Sequence, residues 1–176
     1  MKKIVAIFAT ATAMCASDAM AQNDQFYAEL NYVLPTAKDS GLSVTPSVIG
    51  GRFGMKFTDR VAGEVFLGTS ASSDSVTVGG SSVDMKITDV VGLYLKGSLP
   101  VADKLNVFGR IGYTRARIKA SSSGTSIADS DSGFSYGVGA QYDFTDKVYG
   151  MVDYMSFYDR NGTTITGPTV GVGYKF

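Results

Sequence analysis

Residues of unlike character alternate one for one along eight stretches of this chain, and a period of two is what β-strands with different faces require. In Phe26 to Leu34 the even positions Phe26, Ala28, Leu30, Tyr32 and Leu34 are apolar, while Glu29 and Asn31 fall on odd positions. The same split sets Ile49, Phe53, Met55 and Phe57 against Arg52 and Lys56, and Val61, Val65 and Leu67 against Glu64. It sets Val91, Leu93, Leu95 and Leu99 against Tyr94, Lys96 and Ser98, and Leu105, Val107, Ile111 and Tyr113 against Asn106, Arg110 and Thr114. Phe134, Tyr136, Val138 and Tyr142 oppose Ser135, Gln141 and Asp143; Val148, Val152 and Tyr154 oppose Asp153, with Met151 and Met155 on the polar side. The last stretch sets Val170, Val172, Tyr174 and Phe176 against Thr169, Gly171, Gly173 and Lys175.

The strands are punctuated by one turn pattern used three times. Phe57-Thr-Asp-Arg-Val61, Val101-Ala-Asp-Lys-Leu105 and Phe144-Thr-Asp-Lys-Val148 place their aspartates 44 and 43 residues apart. An apolar residue, a small one, Asp, a base and an apolar residue suit a tight hairpin turn. Between these turns lie longer polar connections, Pro35 to Pro46, Ser70 to Asp84, Lys119 to Ser132 and Asp159 to Gly162. Three short turns and four longer loops join eight strands.

At 176 residues the chain is one domain. Residues 1–21 carry the marks of a secretory signal peptide: Lys2 and Lys3, an apolar run from Ile4 to Cys15, and Ala19-Met20-Ala21 before Gln22. That run is too short and too interrupted for a membrane anchor, and Met14 before Cys15 is bulky for lipoprotein processing. Residues 22–176 are then the barrel domain, without cysteine. Sixteen bases balance sixteen acids with no basic block, which excludes nucleic acid as a partner. No histidine is present, so the usual base of Ser and Cys hydrolases is missing. No enzyme, cofactor or metal is expected.

Volume decides which face points outward. The interior of an eight-stranded barrel is only just filled by side chains, and eight strands bearing four or five large apolar residues each would overfill it. A soluble lipocalin-like barrel or a two-sheet sandwich fits less well. The other face, with Gly50, Gly54, Gly92, Gly112, Gly137, Gly139, Gly171 and Gly173 among a few charges, suits a cramped lumen. Ten-residue strands, short turns at one end and long loops at the other specify an all-β, eight-stranded antiparallel up-and-down transmembrane β-barrel.

Val91-Gly-Leu-Tyr-Leu-Lys-Gly-Ser-Leu-Pro100, Phe108-Gly-Arg-Ile-Gly-Tyr113, Asp131-Ser-Gly-Phe-Ser-Tyr-Gly-Val-Gly-Ala140, Tyr142-Asp-Phe-Thr-Asp146 and Gly171-Val-Gly-Tyr-Lys-Phe176 carry a family resemblance. Residues 26–176 resemble the eight-stranded outer-membrane β-barrels that include the OmpA-like transmembrane domain and the small OmpX/Ail proteins. The resemblance implies a Gram-negative-type outer membrane and contact with its lipid and lipopolysaccharide; the peptidoglycan-binding domain of full-length OmpA-like proteins is not expected here. It also implies that Val170, Val172, Tyr174 and Phe176 are read by the barrel-assembly machinery. Tryptophan is absent, so the interfacial girdles fall to tyrosines such as Tyr32, Tyr113, Tyr142, Tyr154 and Tyr174. The fold hosts several unrelated functions and does not select one.

On the lumen face stand Glu29, Arg52, Lys56, Glu64, Lys96, Arg110, Asp143, Asp153 and Lys175. Buried charges persist only when paired, so this set reads as a network plugging the barrel or, alternatively, as the lining of a small gated pore. Hairpin parity sets Lys96 across from Arg110, and Glu64 and Asp153 are the acids expected to serve them. Arg115 and Arg117 fall on the lipid side beyond Tyr113, placed either for lipopolysaccharide phosphates or on a solvated strand extension. Asp129-Ser-Asp131-Ser-Gly133 begins like a calcium loop but meets Ala140 at the twelfth position, and reads as a polar loop. Asn161-Gly162 reads as the turn of the last hairpin. The functional expectation is a structural or surface-interaction barrel, contributing to envelope integrity or adhesion-type binding of a surface ligand through long loops.

Overall fold

The computed structural model describes residues 25–39, 42–45, 47–71, 74–78, 81–122, 125–160 and 163–176. The expected signal peptide and the Asn161-Gly162 turn lie outside these residues. The described residues form eleven strands: β1 (Phe26–Val33), β2 (Thr36–Asp39), β3 (Leu42–Val44), β4 (Val48–Lys56), β5 (Val61–Ser70), β6 (Asp74–Val78), β7 (Ser81–Ala102), β8 (Leu105–Ser122), β9 (Thr125–Asp143), β10 (Val148–Arg160) and β11 (Thr163–Lys175). Eight of them, β1-β4-β5-β7-β8-β9-β10-β11, form one antiparallel sheet, and pairing of β1 with β11 from Tyr27↔Lys175 to Val33↔Thr169 closes it. A closed sheet has no edge left to pair or solvate.

Burial is inverted relative to a water-soluble fold. Leu93 and Val138 are 61% and 70% exposed, whereas Glu29 and Arg110 are 3% and 1%. The alternating apolar residues therefore face out, and the polar parity faces in, as volume requires. Water cannot be the solvent of such a surface; hydrocarbon can, because the strands of the closed sheet pair their backbones with one another.

Both chain ends of the barrel and all three short turns lie at one rim. Phe176 N–H donates to Phe26 O (3.0 Å), and Lys175 N–H to Lys147 O (2.8 Å) in the last short turn. The two turns that contain threonine close alike. Phe57 N–H and Phe144 N–H donate to Val61 O and Val148 O (2.8 and 2.9 Å), and Thr58 and Thr145 Oγ1 accept from Val61 and Val148 N–H (3.1 and 2.9 Å). Where alanine replaces threonine the turn tightens, and Ala102 pairs directly with Leu105 around Asp103-Lys104.

At the opposite rim the structure corrects the sequence reading. The stretches taken as long loops are largely strand: β2 and β3 pair with each other and β2 also with β11, β6 pairs with β7, and β7, β8 and β9 continue as ladders well past the belt. Asp129 to Gly133, read as a polar loop, lies inside β9. Ladder hydrogen bonds are made by the backbone, so Ser, Thr and Asp on both faces hide a strand from any test based on apolar alternation.

Candidate functional site in the barrel lumen

Parity and register bring six charged side chains to the middle of the lumen. Arg110 on β8 lies opposite Lys96 on β7, and two adjacent bases demand acids from elsewhere. Arg110 Nε donates to Glu64 Oε2 (2.7 Å), its Nη2 to Glu29 Oε1 (3.2 Å), and its Nη1 to Asp153 Oδ2. Arg52 Nη1 donates to Glu29 Oε2 (2.8 Å) and Arg52 Nε lies 3.5 Å from Glu64 Oε2. Lys96 Nζ sits 3.8 and 3.9 Å from Glu29 and Glu64. Three bases thus meet three acids, all of them buried.

Aromatic rings and hydroxyls complete this cluster. Tyr27 OH donates to Glu64 Oε1 (2.6 Å) and Tyr149 OH to Glu29 Oε1 (3.0 Å). The Arg110 guanidinium lies 4.3 Å from the centroid of the Phe108 ring and Lys96 Nζ 4.6 Å from it, while Arg52 lies over Phe66 at 5.3 Å. Such cation–π contacts strengthen when water is excluded. Two glycines explain how rings fit in so narrow a barrel: a Cβ on Gly54 would fall within the Tyr27 ring, and one on Gly173 within the Tyr149 ring.

The charged layer lies between two apolar ones. Toward the short turns are Tyr27, Ala62, Phe108, Tyr149 and Met151; toward the long hairpins are Val33, Val48, Phe66, Val90, Tyr94 and Met155, with Ala116 and Phe157 packed against them. Beside the upper layer, Tyr94 OH, Thr114 Oγ1 and Ser135 Oγ form a hydroxyl chain with spacings of 2.5 and 2.9 Å.

Three of the nine charges expected to share one network stand apart from the central six. Asp143 and Lys175 form a half-buried pair (2.9 Å) near the short turns. Gln141 links that pair to the centre, accepting from Lys96 Nζ (3.2 Å) and donating to Asp143 Oδ1 (2.9 Å). Lys56 is half-buried and lines a cavity of about 230 Å³ at this rim with Asp59, Arg60, Lys96 and Lys175.

Arg115 and Arg117 are exposed on the outer face of β8. They are not bare: Arg117 lies 3.6 Å from Asp89, and Arg115 Nη2 donates to Ser130 Oγ (3.3 Å). At the closing seam Val170, Val172 and Tyr174 face outward, and the Phe176 ring packs edge-on against Tyr174 at 5.4 Å. Sequence reasoning set Gln141 on the polar face without giving it a role, and passed over Tyr27, Phe66, Phe108 and Tyr149. Parity with Glu29, Glu64, Arg110 and Asp153 was the available signal for each.

An inverted burial pattern, a closed eight-strand sheet and short turns at one rim agree with the family profile that matches residues 6–176, the outer membrane protein beta-barrel domain. The chain belongs to that family. No curated protein sequence matches this barrel. In fold it is similar to Ail, the attachment invasion locus protein of Yersinia pestis, solved in complex with the heparin analogue sucrose octasulfate: TM-score 0.66 at 15% identity, covering 86% of this chain and 98% of Ail. It is also similar to Neisserial surface protein A (TM-score 0.64, 14% identity, 86% and 97% covered) and to the N-terminal barrel of Pseudomonas aeruginosa OprF (0.62, 15%, 84% and 97%).

Proposed function

We propose that this outer-membrane barrel is a structural and surface-interaction protein, closed along its axis by its own side chains and presenting paired hairpins to the outside. The observation that supports it best is the filled lumen: three acids and three bases interlock at its centre, and the buried Val33, Val48, Phe66, Val90, Tyr94 and Met155 pack beyond them toward the hairpins. Its role is non-catalytic, since no histidine is present and the central carboxylates are all occupied by bases. Residues 1–21 direct export; Val170, Val172, Tyr174 and Phe176 are read by the assembly machinery; Arg115 and Arg117, one and two steps past Tyr113 on the outer face, meet lipopolysaccharide phosphates at headgroup depth.

Ail was solved with a sulfated, heparin-like ligand, and this chain is not charged for such a ligand. Its segments at the hairpin rim hold six bases (Lys38, Lys86, Arg115, Arg117, Lys119, Arg160) against seven aspartates (Asp39, Asp74, Asp84, Asp89, Asp129, Asp131, Asp159). A surface ligand that is neutral and hydrogen-bonding suits these hairpins better than a polyanion, whose capture rests on excess positive charge. The deciding experiment is conductance of the refolded barrel in planar bilayers together with retention on immobilised heparin. Silence and flow-through at physiological salt are expected; a steady ohmic current supports the small gated pore instead, and salt-dependent retention overturns the ligand reading.

A further inference from the structure

We propose that Asn31, Thr169 and Asp153 form a binding site for an internal water at the seam where the first and last strands close the barrel. Asn31 on β1 and Thr169 on β11 are each 1% exposed, and Asp153 on β10 is 3% exposed. Register places them together: Asp153 lies opposite Thr169, Val33 opposite Thr169, and Asn31 opposite Gly171. The Asn31 amide leans over Gly171, where an added Cβ would fall on its Oδ1. Three adjacent strands thus contribute one polar side chain each to the same patch of lumen wall.

Four polar atoms in this patch make no hydrogen bond among the described residues: Asn31 Oδ1, Asn31 Nδ2, Thr169 Oγ1 and Asp153 Oδ1. The other carboxylates of the lumen are treated differently. Both oxygens of Glu29 accept from Arg110, with Tyr149 and Arg52 as further donors, and both oxygens of Glu64 accept from Arg110, with Tyr27 as a further donor. Among the three central acids, only Asp153 turns one oxygen to Arg110 and leaves the other without a hydrogen bond. Unpaired polar atoms out of contact with solvent are costly.

The chemistry selects water over a cation. Asn31 Nδ2 needs an acceptor and Asp153 Oδ1 a donor, and a water supplies both while exchanging either role with the Thr169 hydroxyl. A metal ion would satisfy the oxygens and leave the amide hydrogens facing a positive charge. The lumen's three acids and three bases also leave no negative excess to hold one. A buried water usually makes about three hydrogen bonds to groups of this kind.

The test uses the whole barrel refolded in deuterated micelles. A cross-relaxation peak between the Asn31 side-chain amide and a long-lived water is expected in the unaltered protein. Thr169→Val and Asn31→Leu, which keep shape and remove hydrogen-bonding atoms, should each lower the folding equilibrium constant about tenfold, the net worth of one or two hydrogen bonds. Both together should cost less than the product, because both lose the same water. If no water peak is found and either substitution leaves stability unchanged or raises it, the seam is dry and the proposal fails. It fails equally if the unfolding midpoint of the unaltered barrel climbs with sodium concentration and that dependence vanishes in Asn31→Leu, which would assign the site to a cation.

Discussion

Replacing Arg110 by methionine tests what holds the lumen together. The substitution keeps most of the stem's volume and removes the guanidinium, so a cavity term is small and the charge term dominates. Glu29 keeps Arg52 at 2.8 Å, and Lys96 remains 3.8 and 3.9 Å from Glu29 and Glu64. Asp153 keeps nothing, for Arg110 is its only ion-pair partner among the described residues. Three acids then face two bases, with the surplus localised on a carboxylate that is 3% exposed. Breaking a buried pair in this way costs about 3–5 kcal/mol, a loss in the folding equilibrium constant of roughly 10² to several times 10³. The assay is urea unfolding followed by circular dichroism and by the gel shift of the unheated barrel. Rescue identifies the stranded group: Arg110→Met with Asp153→Asn should recover most of the loss, and Arg110→Met with Glu64→Gln much less, since Glu64 retains two other bases. Brief openings in planar bilayers should accompany the single change, as water hydrates the bare carboxylate. An unchanged midpoint for Arg110→Met, or equal rescue by the two partners, would refute this account of the network.

Gly173→Ala places a methyl within the Tyr149 ring and should cost about 1–3 kcal/mol by the same unfolding assay; Gly51→Ala, where an added Cβ meets nothing nearer than 3.9 Å, should be close to neutral. Thr145→Ala removes the hydroxyl that accepts from Val148 N–H and should cost about 1 kcal/mol, read as a lower unfolding midpoint with an unchanged spectrum. Phe176→Ala should slow insertion in an assembly assay while export proceeds normally, and an unchanged insertion rate would reduce Phe176 to interface packing.

Sequence parity carried the barrel a long way, and its failures have a common origin. Period two says which side of the wall a residue occupies, so Arg110 and Lys96 could be placed inside and across from each other without coordinates. It says nothing about reach along the axis. Asp143, Lys175 and Lys56 share the parity of Glu29 yet sit near the short turns, where the first two pair with each other. Glu64 and Asp153, the acids expected to serve the two bases, do pair with Arg110; that Glu29 joins them was not foreseen, because it depends on which strands face each other across the lumen. Tyr27, Phe66, Phe108 and Tyr149 went unremarked because aromatic residues in a membrane barrel are first sought on the lipid face. Their inward parity was plain, but glycines that make room for them stand on neighbouring strands well away in the chain: Gly50 for Phe66, Gly54 for Tyr27, Gly139 for Phe108 and Gly173 for Tyr149.

The ribbons at the hairpin rim bear on how anything would dock there. β7, β8 and β9 are 22, 18 and 19 residues long, and about ten residues cross a bilayer, so the remainder stands on the order of 25 Å clear of it at ordinary strand rise and tilt. Coil of that length would lose about 1–2 kcal/mol per residue when a ligand fixed it. Ladder-paired backbone has already given up that freedom during folding. Capture on these ribbons should therefore resemble docking on a preformed surface, with an association rate set by diffusion and orientation rather than by loop ordering, and with contacts available only along lines a strand can present.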